Sequence, residues 1–90
     1  MWMLKFADGT AFEARSCSAS GVYLWLEIVT DMSFLQLATF LANTEATSVI
    51  LYYVSGKEDT AQKYEGFTSQ CFEQITPQGT YLAALRKPEV

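Results

Sequence analysis

The 90-residue chain contains no histidine, and its only cysteines are Cys17 and Cys71. Without an imidazole, a serine or cysteine nucleophile has no ready general base, and no Gly-x-Ser-x-Gly elbow occurs. Two thiols do not complete a Cys/His zinc site. The acidic residues lack EF-hand spacing, and Ser55-Gly56-Lys57 lacks the remainder of a phosphate-binding loop. These absences predict no catalytic residue, no cofactor and no metal, and so a protein that is not an enzyme. Positive charge is also scarce: six Lys and Arg stand against ten Asp and Glu, for a net charge of −4. Lys5, Arg15, Lys57, Lys63, Arg86 and Lys87 are scattered apart from the final pair, which predicts no nucleic-acid surface. Lys63-Tyr64 with Phe67 has the aromatic and basic pairing of a single-strand binder, but Glu65 opposes it.

The N-terminus lacks a basic stretch followed by a long apolar run, so no signal peptide is expected, and a cytoplasmic location is. Residues 21–42 form the densest apolar stretch, yet Glu27 and Asp31 sit in its middle. Two charges at a bilayer centre are costly, which predicts no membrane span. Cys17 and Cys71 are read as free, half-buried thiols, with a disulfide between them as the alternative.

Half of the residues are apolar and 14% are aromatic, enough for one packed domain over residues 1–90. Trp2, Leu4 and Phe6 alternate with Met3 and Lys5, and Asp8-Gly9 then predicts a type I′ hairpin into a second strand at 10–16. Small polar residues at 18–21 read as a loop. At 22–29, Val22, Leu24, Leu26 and Ile28 make one apolar face, and Tyr23, Trp25 and Glu27 the other. The period then changes to helical. Ser33 and Gln36 fit a capping box, with Met32 and Leu37 at the staple positions and Asp31 as the rival cap. The helix carries Phe34, Leu37, Ala38 and Leu41 on one stripe, Leu35 and Ala42 at its edge and Phe40 on its flank, with Asn43 as a left-handed cap.

A loop at 43–47 leads to a β-branched and aromatic strand at 48–54, with Val49, Leu51 and Tyr53 on one face and Ile50, Tyr52 and Val54 on the other. After a charged turn at 55–60, residues 61–75 read as one long strand bent at Gly66. Pro77-Gln78-Gly79 turns into a last strand at 80–85, and 86–90 is a frayed tail. The expected class is α+β: a mainly antiparallel, curled sheet of order β-β-β-α-β-β-β with one short helix packed on it.

A helix this short covers one face only, so Tyr23 and Trp25 need cover either from the sheet's own curl or from another subunit. Tyr23, Trp25, Tyr52 and Phe72 are the candidate interaction residues, being opposite the helix side. Glu27, within the apolar strand, is read as an edge or interface carboxylate paired with Lys or Arg.

At Leu4-Lys5-Phe6-Ala7-Asp8-Gly9-Thr10, Tyr64-Glu65-Gly66-Phe67 and Tyr81-Leu82-Ala83-Ala84-Leu85, the chain resembles small proteins of phages and prophages of Gram-positive gut bacteria, often encoded near tail or baseplate genes. The resemblance implies a structural or assembly role with no active site to carry over, and a place in the virion if the protein is of phage origin. The functional expectation is thus a non-enzymatic structural or interaction protein acting through self-association or docking to other subunits. A module that binds a small apolar ligand within the curled sheet is the alternative, and an enzyme of unknown type comes third.

Overall fold

The computed structural model describes residues 1–43, 48–54 and 59–87, with 48, 50, 54 and 59–64 as backbone only. Of the loop expected at 43–47 and the turn expected at 55–60, residues 44–47 and 55–58 lie outside the described residues, as does the end of the tail at 88–90; residue 43 ends the helix and residues 59–60 open a strand. The elements are β1 (Trp2–Phe6), β2 (Ala11–Ser20), β3 (Tyr23–Val29), α1 (Phe34–Asn43), β4 (Ser48–Val54), β5 (Asp59–Glu65), β6 (Thr68–Thr76) and β7 (Thr80–Arg86). The seven strands form one sheet in the order β5-β4-β1-β2-β3-β7-β6, and every neighbouring pair is antiparallel. The protein is α+β.

The long strand expected at 61–75 is two strands, and its bend at Gly66 has a larger consequence than a bulge. β5 and β6 are opposite edges of the sheet, yet only Gly66 and Phe67 join them. Three Cα steps of ~3.8 Å bring those edges within about 11 Å of each other. The sheet therefore curls until its edges meet at this corner. Gly66 has φ 69, and Phe67 turns into the core, 6.3 Å from the ring of Phe6.

The inner face carries Leu4, Phe6, Phe12, Ala14, Leu24, Leu26, Ile28, Val49, Leu51, Tyr81, Ala83 and Leu85, all buried. The helix fills the space they enclose and packs against β6. Leu37 and Leu41 are buried, while Leu35 is 73% exposed. Phe40 is no flank residue: its ring lies 5.7 Å from Phe6 and 5.5 Å from Phe12, edge to face. The aromatic cluster on β1 and β2 turns the helix toward Phe40 and leaves Phe34 37% exposed.

The capping box forms in both directions. The Gln36 N–H donates to Ser33 Oγ at 3.1 Å, and the Ser33 N–H donates to Gln36 Oε1 at 2.9 Å. Two orphan donors of the first turn are satisfied this way, and Asp31 is not the cap. Ser33→Ala is expected to cost about 1 kcal/mol, seen as a fall of ~4–8 °C in melting temperature. Asn43 closes the helix without a left-handed conformation, since no described non-glycine residue has positive φ. The Leu41 carbonyl instead accepts from Ser69 Oγ at 3.2 Å, tying the helix end to β6.

The first turn also differs from its expected type. Among the described residues positive φ falls at Gly9 (φ 93) and not at Asp8, so the turn is not type I′. The Gly9 N–H donates to the Phe6 carbonyl and the Phe6 N–H to the Thr10 carbonyl, a three-residue loop closed by a glycine bulge. Asp8 Oδ1 accepts from the Thr10 N–H at 2.9 Å, which explains an aspartate there without positive φ.

The second strand runs past its expected end, to Ser20. A bulge between Ala14 and Ser16 shifts the alternation by one residue, so that Cys17 turns inward and Ser16, Ser18 and Ser20 turn outward. Small polar residues that resemble a loop thus pair with β3. At the other end of that pairing, Val22 lies in the turn before β3 and is 41% exposed, not part of the apolar face. Its carbonyl accepts from the Lys87 N–H at 2.8 Å, so the chain is still held at 86–87, where fraying was expected.

Candidate functional site

The outer face of β2-β3-β7-β6 is where the alternation leaves large apolar side chains without a covering layer. β3 points Leu24, Leu26 and Ile28 inward, which obliges Tyr23, Trp25 and Glu27 to point outward. Next to them on β7 stand Arg86, Ala84 and Leu82. On β6 a bulge between Cys71 and Glu73 sets Phe72 beside Trp25, with Glu73 opposite Leu82. The side chain between them, Ala84, is small and only 3% exposed, so the larger rings meet above it.

The result is a continuous row of rings. Tyr23 and Trp25 have centroids 5.4 Å apart at 32°, and Trp25 and Phe72 are 5.4 Å apart at 38°. Tyr23 and Trp25 are half-buried and Phe72 is 41% exposed. The curl does not cover them, because the sheet closes around the opposite face, where the helix sits. A groove of about 590 Å³ follows β6 from Thr68 to Phe72 and opens beside this row.

Three of the four expected interaction residues, Tyr23, Trp25 and Phe72, are thus brought together. Tyr52 is not. It pairs with Met3 across β4 and β1, three strands from β3 in the sheet order, and is half-buried there. Its strand-mate Tyr53, expected to face the core, packs its ring 5.1 Å from Trp2 at the open end of the inner face and is 42% exposed.

Polar groups frame the row. Glu27 accepts from Arg15 through both Nε, at 2.9 Å, and Nη2 on its single Oε2. The pairing expected for Glu27 is therefore present, made by the very residue that the β2 bulge adds. Beside the rings, on β2, lie Ser16, Ser18 and Ser20, opposite Glu27, Trp25 and Tyr23 in register. All three serines are exposed. The serines were missed from sequence because their outward direction depends on the bulge at Arg15, which no residue pattern announces.

The two thiols are free. Cys17 lies opposite Leu26, Leu26 opposite Ala83 and Ala83 opposite Cys71, so three strand spacings, about 14 Å along the sheet, separate them. A disulfide needs Cα atoms within about 7 Å. Burial pushes both thiols above their ordinary pKa, which makes them poor nucleophiles at neutral pH. No group of three or more His, Cys, Asp or Glu among the described residues is placed to hold a metal ion. No helix among them is long and apolar enough to cross a membrane.

Comparison with family models, curated proteins and solved structures finds no match to this chain.

Proposed function

We propose that the protein acts by contact: a small structural or interaction protein, used through self-association or docking to other subunits of an assembly such as a phage tail. The observation that carries this reading is the Tyr23–Trp25–Phe72 row, three neighbouring rings on an open sheet face. Large aromatic side chains left half-exposed in a contiguous group mark protein contacts, where tyrosine and tryptophan are enriched. The polar frame around them matches the rim of such a contact. The competing reading, a cavity for a small apolar ligand inside the curled sheet, finds less support. Phe6, Phe12, Phe40, Leu37 and Leu41 occupy that interior.

Sedimentation velocity at tens of micromolar tests the reading. The wild-type chain is expected to sediment as a dimer or larger species, or to do so once its assembly partner is added. Trp25→Ala is expected to weaken the contact by 2 kcal/mol or more, roughly thirtyfold, as a central aromatic anchor does. A soluble, folded Trp25→Ala variant that associates as the wild type does removes the row from the function.

A further inference from the structure

The outer face carries two unlike tracks side by side. On β3, Tyr23 and Trp25 form a ridge. On β2, their register partners Ser20 and Ser18, followed by Ser16, form a trough of small exposed side chains. Cross-strand partners on one face stand about 5 Å apart, so ridge and trough run parallel at one strand spacing. Phe72 supports the ridge from the side away from the trough, against Trp25.

From this relief we infer that the face binds a second copy of the same chain about a two-fold axis that lies in the contact plane, along the strands, between β2 and β3. This inference rests on the reading of the protein as one that acts by contact. A two-fold contact uses the same patch on both subunits, so the patch must complement itself. Rotation about this axis places β3 of each copy over β2 of the other at the same level along the strand. Each Trp25 then falls over the partner copy's serine track near Ser18, and each Tyr23 near Ser20.

Charge gives an independent argument for the same axis. Arg15 is on β2 and Glu27 on β3, and within one chain they already form an ion pair. The rotation sets Arg15 of one copy over Glu27 of the other, and the reverse. Four charges then alternate in sign at one end of the contact, with no like pair brought face to face. Any shift of the axis by one strand would lose both the ridge-in-trough fit and this alternation. About this axis the face overlaps itself on β2 and β3 alone, about 10 by 23 Å over seven residues, a small contact that forms only at high protein concentration.

Sedimentation equilibrium from micromolar to hundreds of micromolar is the test, with circular dichroism and a melting curve on each variant to show that it is folded. The wild type is expected to be a dimer at the upper end. Ser18→Arg, at an exposed position, fills the trough and is expected to leave a folded monomer. Arg15→Glu and Glu27→Arg are each expected to weaken dimerisation by roughly tenfold. An equimolar mixture of those two variants is expected to recover a heterodimer, because each charge again faces its opposite across the contact, one chain presenting two negative charges and the other two positive. A purely structural role for the Arg15–Glu27 pair would not produce that recovery. A wild type that stays monomeric at hundreds of micromolar overturns the inference, and self-association with it. A wild-type dimer indifferent to Ser18→Arg, with no recovery in the mixture, overturns this face while leaving self-association standing.

Discussion

Replacing Gly79 by alanine is expected to destabilise the protein by about 3 kcal/mol or more, with a fall in melting temperature of ~12–24 °C. Two costs combine. Gly79 has φ +104, a conformation that an L side chain rarely adopts. A Cβ there would also stand 2.2 Å from the Thr30 carbonyl oxygen. That oxygen is backbone and is not free to move, because the Thr30 N–H donates to the Gly79 carbonyl at 2.9 Å. The pair joins the β6–β7 turn to the point where β3 gives way to the helix. Thr30 Oγ1 accepts from the Met32 N–H at 3.3 Å, and the buried Tyr81 hydroxyl donates to the Met32 carbonyl. Pushing Thr30 away therefore disturbs the whole entry to α1. Gly9 is the control, with φ +93 and open space around a Cβ. Gly9→Ala is expected to cost only about 1–2 kcal/mol. Urea titration of both variants checks the difference through the midpoint at constant slope. Equal losses in the two variants would show that the approach of Thr30 is not what matters.

Phe6→Ala is expected to cost about 3–5 kcal/mol, and Phe6→Leu only about 1 kcal/mol. Phe6 is 2% exposed. Its ring meets Phe12 at 6.0 Å and Phe40 at 5.7 Å, both edge to face, and lies 6.3 Å from Phe67. Those partners belong to the first hairpin, the helix and the corner between β5 and β6. A cavity at Phe6 thus loosens all three at once. Native-state hydrogen exchange is expected to show the largest loss of protection in α1, since the helix has no strand ladder to hold it. A double-mutant cycle between Phe6 and Phe40 is expected to show a coupling of about 1 kcal/mol. Additive losses would mean that the helix is held by Leu37 and Leu41 alone.

Much of this fold was legible residue by residue. Leu4 and Phe6 against Met3 and Lys5, or Leu24, Leu26 and Ile28 against Tyr23, Trp25 and Glu27, settle which side of a strand faces the core, because alternation is local. The Ser33–Gln36 cap was equally legible, since both of its hydrogen bonds close within one turn. The exposed site was half legible: Tyr23, Trp25 and Phe72 follow from alternation, but their meeting does not. Phe72 reaches Trp25 only because β7 lies between β3 and β6 with Ala84 at the crossing. Tyr52 has the same local signature and ends elsewhere because β4 pairs with β1.

The aromatic row that distinguishes this protein is thus a joint product. By itself the sequence determined β1, β3, β4 and β7, the capped helix, and the inward and outward faces of β1 and β3. The tertiary structure alone decided the strand order, the bulges at Arg15 and Phe72, the separation of the two thiols, and the meeting of the sheet's edges at Gly66. The reason is physical. Side-chain alternation and capping depend on neighbours within a few residues. Strand order and bulge position depend on which distant segments pair, and on how a single helix must be enclosed.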